Sequence, residues 1–302
     1  MQASSPLVTV GIPTYNRPEG LERTLISIIN QTYKNISILV SDNCSTNPDV
    51  LPILKKYAEL DNRVTFIVQK KNLSLVPNFQ FLLDQAGGKY FMWAADDDQW
   101  STGFIEACVQ AMEANDDVAI TMTTMDIFDE AGKFDPGKLN RSFLQSNIFS
   151  RCFHFIKSPM QNKFFLCGLY RTSFVKNVPF DNSWGGEHLF LYELITKGKF
   201  LLIEGLPLFH YIKGGTSKTN AAIRKAFNIK NRFYFLDAYI FRYLSYQFNF
   251  KHLSIFKKMG LFFSNCAALL FNEDYILYYS LIKKPVRSLI NKFKSKPIEY
   301  RP

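Results

Sequence analysis

Six apolar residues, Tyr90 to Ala95, run directly into Asp96, Asp97 and Asp98, and this junction constrains the chain more than any other stretch. The run follows Gly87 and Gly88 and has the length of a buried strand. Three adjacent carboxylates repel one another, so a fold holds them at a strand end most cheaply with positive charge among them, above all a divalent cation. A bare Asp triplet also reads as a solvated acidic turn. The strand in front favours the ligand reading, because open α/β sheets bind ligands outside the carboxyl ends of their strands.

The residues before this junction alternate strand and helix patterns. Residues 7–12 (LVTVGI) read as a buried strand, followed by the turn PTYNRP. Leu21, Leu25, Ile28 and Ile29 then mark one face of a helix. A second strand at 36–40 ends in the turn and cap cluster SDNCST, and a helix at 52–60, a strand at 64–68 and a helix at 78–85 lead to the Tyr90 strand. This order predicts an α/β fold, a mostly parallel central sheet with helices on both faces. Ligand loops then gather on one edge: Pro13 to Arg17, Asp42 to Thr46 and Asp96 to Asp98. No G-x-G-x-x-G follows the first strand and no G-x-x-x-x-G-K-[ST] occurs, which disfavours dinucleotide-binding and P-loop enzymes.

In the same order, VTVGIPTYNRPEGLERTLISIINQTYKNISILVSDNCST followed by GGKYFMWAADDDQW resembles the family 2 glycosyltransferases of GT-A (Rossmann-like) fold. The resemblance implies an inverting transfer of a sugar from a nucleotide-diphosphate donor, UDP-linked by expectation, to a saccharide or lipid-linked glycan, assisted by Mn²⁺ or Mg²⁺. It places Pro13, Thr14, Tyr15, Asn16 and Arg17 in the first donor loop and Asp42 against the N3–H of the base. A carboxylate accepts from the imino N–H of uracil, whereas cytosine has only a ring acceptor there; an Asx turn is the plainer role for Asp42. In the acidic cluster the family's first Asp falls on Ala95, and Asp97 and Asp98 fall on its last two, the expected metal ligands. Asp96 takes over the missing carboxylate on the donor side, and the three roles are interchangeable from sequence.

Further along, DNSWGGEHLFLYELI resembles the segment whose helix-opening acid removes the acceptor proton, which puts Glu187 in that role. A helix N-terminal Glu is also explained by the macrodipole, and His188 is the competing base. Where the family often has His before G-G-x-S, Lys213 stands instead, a charge for the departing diphosphate and no metal ligand. His210 reads as a packed or hydrogen-bonded residue.

Composition adds bounds. The 302 residues, 47% hydrophobic, suit a catalytic domain at 1–221 with a helical extension at 222–302. Five cysteines without a C-x-x-C pair, and a start lacking a basic then apolar leader, predict a cytoplasmic protein. Net charge is +10, but residues 222–302 hold 15 Lys and Arg against 4 Asp and Glu, while residues 1–221 hold 21 against 22. That tail also carries 19 of the 47 aromatic residues, and its longest apolar stretch, 261–271, is too short to span a bilayer. It reads as basic aromatic helices peripheral to an anionic membrane, or as helices packed on the catalytic domain or a second copy. Nucleic acid is disfavoured, since helical aromatics form no stacking platform and phosphate binding leaves the acidic cluster unexplained. A nucleotidyltransferase needs a Gly-rich phosphate loop that PTYNRPEG does not supply.

Overall fold

The computed structural model describes residues 5–128, 134–136, 141–205, 208–212 and 240–271. The chain opens with β1 (Val8–Thr14), α1 (Pro18–Ile29), β2 (Ile36–Asp42), α2 (Val50–Leu60), β3 (Val64–Val68), α3 (Leu75–Asp84) and β4 (Tyr90–Trp93). There follow β5 (Gln99–Trp100), α4 (Phe104–Glu113), β6 (Val118–Thr123), β7 (Met125–Phe128), β8 (Phe134–Pro136), α5 (Ile148–Ile156) and α6 (Pro159–Asn162). The chain continues with β9 (Leu169–Arg171), α7 (Thr172–Val175), α8 (Gly186–Lys197), β10 (Lys199–Ile203) and β11 (Phe209–Ile212).

Seven strands form the central sheet in the order β10–β6–β9–β4–β1–β2–β3, and all run parallel except β9, which is antiparallel to both neighbours. The expected mostly parallel α/β sheet is therefore present. Right-handed crossovers from β1 through β2 to β3 put α1 and α2 on one face, and the return to β4 on the far side of β1 puts α3 on the other. Gly11 lets α3 approach β1: a Cβ there would lie 2.9 Å from Leu82 Cβ. Every residue of β1 and β4 is buried, as strands covered on both faces require. The reversal of strand order between β1 and β4 opens a crevice at their carboxyl ends, the position where such sheets take ligands.

A second sheet, β5–β11–β7–β8, stands beside the first. Phe164 to Tyr170 reads from sequence as one strand, but Lys163–Cys167 forms a 3₁₀ turn and the extended part is the short β9. An apolar run satisfies either conformation, and Phe165 and Tyr170 are fully buried in both parts. Beyond residue 221, the described part comprises a short helix, Arg242–Ser245, and a longer one, Ile255–Leu270. Tyr243 packs edge-on to Tyr192 of α8, and Asn265 Nδ2 donates to Tyr192 Oη at 2.6 Å. No described helix is long and apolar enough to cross a membrane.

Candidate active site

Register brings the ends of β1 and β2 level, Thr14 opposite Asp42, and the Asn43 N–H donates to the Thr14 carbonyl at 2.9 Å. The loop after β1 is held from within. Asn16 adopts a left-handed φ of 58°, its Oδ1 accepts from the Thr46 and Asn47 N–H groups at 2.7 and 2.9 Å, and its own N–H donates to Ser45 Oγ at 2.8 Å. Asn16 thus ties the two loops together. Asp42 is 3% exposed, and its Oδ1 accepts from the Ser45 N–H and hydroxyl at 3.1 and 2.5 Å, the Asx-type bonding its turn position suggests. Pro13 faces Ser41 across the strands, and Tyr15 presents an exposed ring beyond them.

The acidic cluster meets this edge through Asp96. Its Oδ2 accepts from Thr14 Oγ1 at 2.8 Å and from the Tyr15 N–H at 3.4 Å. Arg17 Nη1 bridges Asp96 Oδ1 at 3.2 Å and Asp97 Oδ2 at 2.6 Å, standing where the sequence called for positive charge. Helix α1 presses on the same loop. A Cβ on Gly20 would lie 2.1 Å from the Asp96 carbonyl, and Thr24 Oγ1 donates to the carbonyls of Ala95 and Asp98 at 3.0 and 2.9 Å.

The three carboxylates meet different surroundings. Burial pushes Asp96 up to about 6 against the opposing pull of Arg17, and Asp97 adds to the rise. Asp98, 3% exposed, points inward, where its Oδ1 accepts from the Ile212 N–H at 3.1 Å at the end of β11; burial holds its carboxyl well above the usual range. The Asp97 side chain remains 31% exposed and carries the open carboxylate. Among the described residues, no three His, Cys, Asp or Glu side chains converge as a metal cage. Mg²⁺ is commonly held by one or two carboxylates with substrate phosphates completing its shell, and the partly exposed Asp97 is a donor of that kind. Lys213 lies outside the described residues. His210, on β11, hydrogen-bonds Ser101 Oγ through Nε2 at 2.8 Å.

Glu187 occupies the first turn of α8. The preceding loop needs both glycines: Gly185 has φ 80°, and a Cβ on Gly186 would lie 1.9 Å from the Asp181 carbonyl. A third of the Glu187 side chain meets solvent, yet protein encloses it closely enough that burial raises its pKa, against its own backbone N–H and the charges of Lys163 and Arg242. His188 is fully buried, its Nε2 3.5 Å from Glu187 Oε1.

Three residues near this site escaped the sequence reading. Lys163, on the 3₁₀ turn, acts electrostatically on both Glu187 and Cys167, and Cys167 in turn feels Asp98 and Asp97. Tyr211, its hydroxyl pushed to about 12 by burial and then by Asp98 and Asp97, packs edge-on to Phe164 with centroids 5.2 Å apart. Arg242 donates to Asp181 Oδ2 at 2.6 Å and to the Trp184 carbonyl at 3.2 Å, bracing the loop that leads to Glu187. None carries a sequence signal of its own; the fold supplies their proximity.

The model of the family described as Glycosyl transferase family 2 matches residues 9–178, more than half of the chain. An uncharacterized glycosyltransferase of Haemophilus influenzae is 34% identical over 41% of this chain, and the match spans only 38% of that relative. The GalNAc(5)-diNAcBac-PP-undecaprenol beta-1,3-glucosyltransferase of Campylobacter jejuni is 26% identical over 74% of this chain and 71% of its own length. Among solved structures, S. aureus TarS superposes with TM-score 0.63 at 15% identity, over 91% of this chain and 74% of that chain, and TarS has also been solved with UDP and with UDP-GlcNAc. The Pyrobaculum calidifontis mannosyltransferase PcManGT, in complex with GDP-Man and Mn²⁺, gives 0.55 at 13% identity, over 96% and 80%. At such identities the structures speak for the fold, and the family match with the conjunction of Thr14, Arg17, Asp42 and the acidic loop at one sheet edge speaks for the rest: the chain is a glycosyltransferase of family 2, with a GT-A fold.

Proposed function

We propose that this glycosyltransferase moves a sugar from a UDP-linked donor to a hydroxyl of a saccharide or lipid-linked glycan, with inversion at the anomeric carbon. The observation that carries the reading is the meeting of Thr14, Arg17, Asp96 and Asp97 at the crevice between β1 and β4, one loop away from Asp42. Asp42 accepts from the base N3–H, Tyr15 lies along the nucleoside, and Arg17 offers charge to the diphosphate. Pro13 and Asn16 shape that loop, and Lys213 adds a second cation toward the leaving group. Asp97, with the more exposed carboxylate, would hold Mn²⁺ or Mg²⁺; Asp98, expected from sequence as the second ligand, turns inward instead and supports Asp97 from behind by anchoring β11. When bound, such a cation offsets charge on the leaving diphosphate.

Glu187 removes the acceptor proton as the hydroxyl attacks opposite the diphosphate. Its partial exposure lets it reach an acceptor, whereas the buried His188 ring has no such access. The raised pKa makes Glu187 a stronger base than an ordinary glutamate. The UDP complexes of TarS support the donor class, the Mn²⁺ complex of PcManGT supports the cation, and the Campylobacter relative supports a lipid-linked acceptor.

Calorimetry with UDP tests the reading, in Mn²⁺ and in EDTA, on wild type and Asp97→Asn. Wild type should bind UDP more tightly with Mn²⁺, and Asp97→Asn should lose that increment and its turnover while keeping its fold. Equal UDP affinity in EDTA and Mn²⁺ for both proteins would sink the metal assignment.

A further inference from the structure

The helix Ile255–Leu270 is apolar on two opposite sides, and among the described residues only one of them is packed. Its inner side explains why the segment folds. Leu261, Asn265, Ala268 and Leu269 are buried, Ser264 Oγ donates to the Phe149 carbonyl of α5 at 3.0 Å, and Gly260 lies so close to the Phe149 ring that a Cβ would be 2.5 Å from Cε1. The outer side has no such account. Phe256, Met259, Phe263 and Leu270 recur at i, i+3, i+7 and i+14, a single stripe, and are 85%, 41%, 64% and 79% exposed. At 1.5 Å per residue the stripe is about 21 Å long. The other residues on that side, Cys266 and Ala267, are no more polar, although the outward face of a water-exposed helix is normally charged. Ile255, at the start of the helix, is also exposed.

The charge around the patch narrows what covers it. Residues 240–271 contain Arg242, Lys251, Lys257 and Lys258 and no Asp or Glu. Lys251, just before the helix, and Lys257, about 100° round it from Phe256, are exposed. A second copy meeting this face through a twofold axis would bring a second set of the same lysines into one interface with no Asp or Glu of this segment to pair them, an arrangement that like charges oppose. An anionic bilayer surface offers both complements at once, acyl chain for the stripe and phosphate for the lysines.

We propose that the outer face of the helix Ile255–Leu270 docks on an anionic membrane surface, with the Phe256–Leu270 stripe entering below the headgroups and the lysines lying among them. One helix thereby joins the protein to the lipid, inner side to α5 and α8, outer side to the bilayer. The same segment contributes Arg242, which clasps Asp181 and the Trp184 carbonyl ahead of Glu187. Docking therefore holds the acceptor side of the site near the lipid, a consequence that alone rests on the proposed acceptor chemistry.

The test uses the full chain and vesicles of phosphatidylcholine alone or mixed with phosphatidylglycerol. Wild type should float with the anionic vesicles, less as salt rises and the screening length shrinks below about 8–10 Å. The pair Phe256→Ser with Phe263→Ser leaves net charge unchanged and removes exposed rings only; vesicle binding should fall about tenfold or more while the melting temperature and UDP affinity hold. Phe256→Trp supplies a second readout, a blue shift of tryptophan emission, beyond any shown by wild type, on anionic vesicles alone. Undiminished vesicle binding by the Ser pair, or no added shift in the Phe256→Trp variant, overturns the proposal. So does a salt-insensitive dimer that the Ser pair converts to monomer, which assigns the face to a second copy.

Discussion

Asp96→Asn should stabilise the free protein at neutral pH. Asp96 is 7% exposed, and Thr14, the Tyr15 N–H and Arg17 all donate to its carboxylate, yet burial outweighs them and raises its pKa from 3.8 to about 6. The folded chain thus holds this proton more tightly than the unfolded chain does. The stability that follows is fully present below about 3.8 and is lost as pH rises through about 6. Two pKa units at about 1.4 kcal/mol each set that loss near 3 kcal/mol by pH 7. Asparagine has no proton to lose, keeps an acceptor for Thr14, and leaves Arg17 its 2.6 Å pairing with Asp97. Removing the Asp96 charge also relieves Asp98, which feels it, so the secondary effect has the same sign. Thermal melts with chelator at pH 4, 5.5 and 7 should show the variant gaining on wild type as pH rises, by roughly 5 °C or more at pH 7. A difference that stays flat across this range, or that turns against the variant toward neutrality, refutes the reasoning.

Two further outcomes bear on the chemistry. Glu187→Gln should lower kcat about 10²-fold or more at nearly constant donor Kd, and the acid limb of the wild-type profile should lie above the ordinary ~4.3 because burial raises this carboxyl; a limb that moves only in His188→Ala would assign the proton to His188. Asp42→Ala should weaken UDP by about 1.5–3 kcal/mol, the worth of a hydrogen bond to a charged group; equal affinity of wild type for UDP, GDP and CDP would dismiss it as the base-reading group.

The first four strands were legible because each is a short apolar run between helices of 3.6-residue period: Leu21, Leu25 and Ile28, chosen by spacing, are all fully buried. Once the order β1–α1–β2–α2–β3–α3–β4 was read, the meeting of three loops followed from topology. The second sheet was not legible, since strands of two to four residues are too short to show a period. Nor was α5, hidden in a stretch of mixed polar and aromatic residues. Its start is an Asn147 cap, whose Oδ1 accepts from the Phe149 and Ser150 N–H groups. Its one charged residue, Arg151, is buried because the Ile195 and Gln145 carbonyls, 44 and 6 residues away, accept from it at 2.8 and 2.6 Å. Long-range satisfaction of a polar group leaves no local pattern to find.

The acidic triplet shows why adjacency misleads. Three identical letters suggested one chemical unit, but outside a helix consecutive side chains leave the backbone in different directions, and each carboxylate meets its own partner. Asp96 turns to β1 and takes hydrogen bonds from Thr14 and Tyr15, Asp97 faces outward to Arg17, and Asp98 turns inward to the end of β11. The inward pair cost stability, as their raised pKa values record, and in return lock the loop to both sheets. That locking is what holds the Asp97 carboxylate in place: with the loop fixed at both flanks and Gly20 of α1 pressed beneath it, the Asp97 side chain stays partly exposed and meets a cationic partner, Arg17.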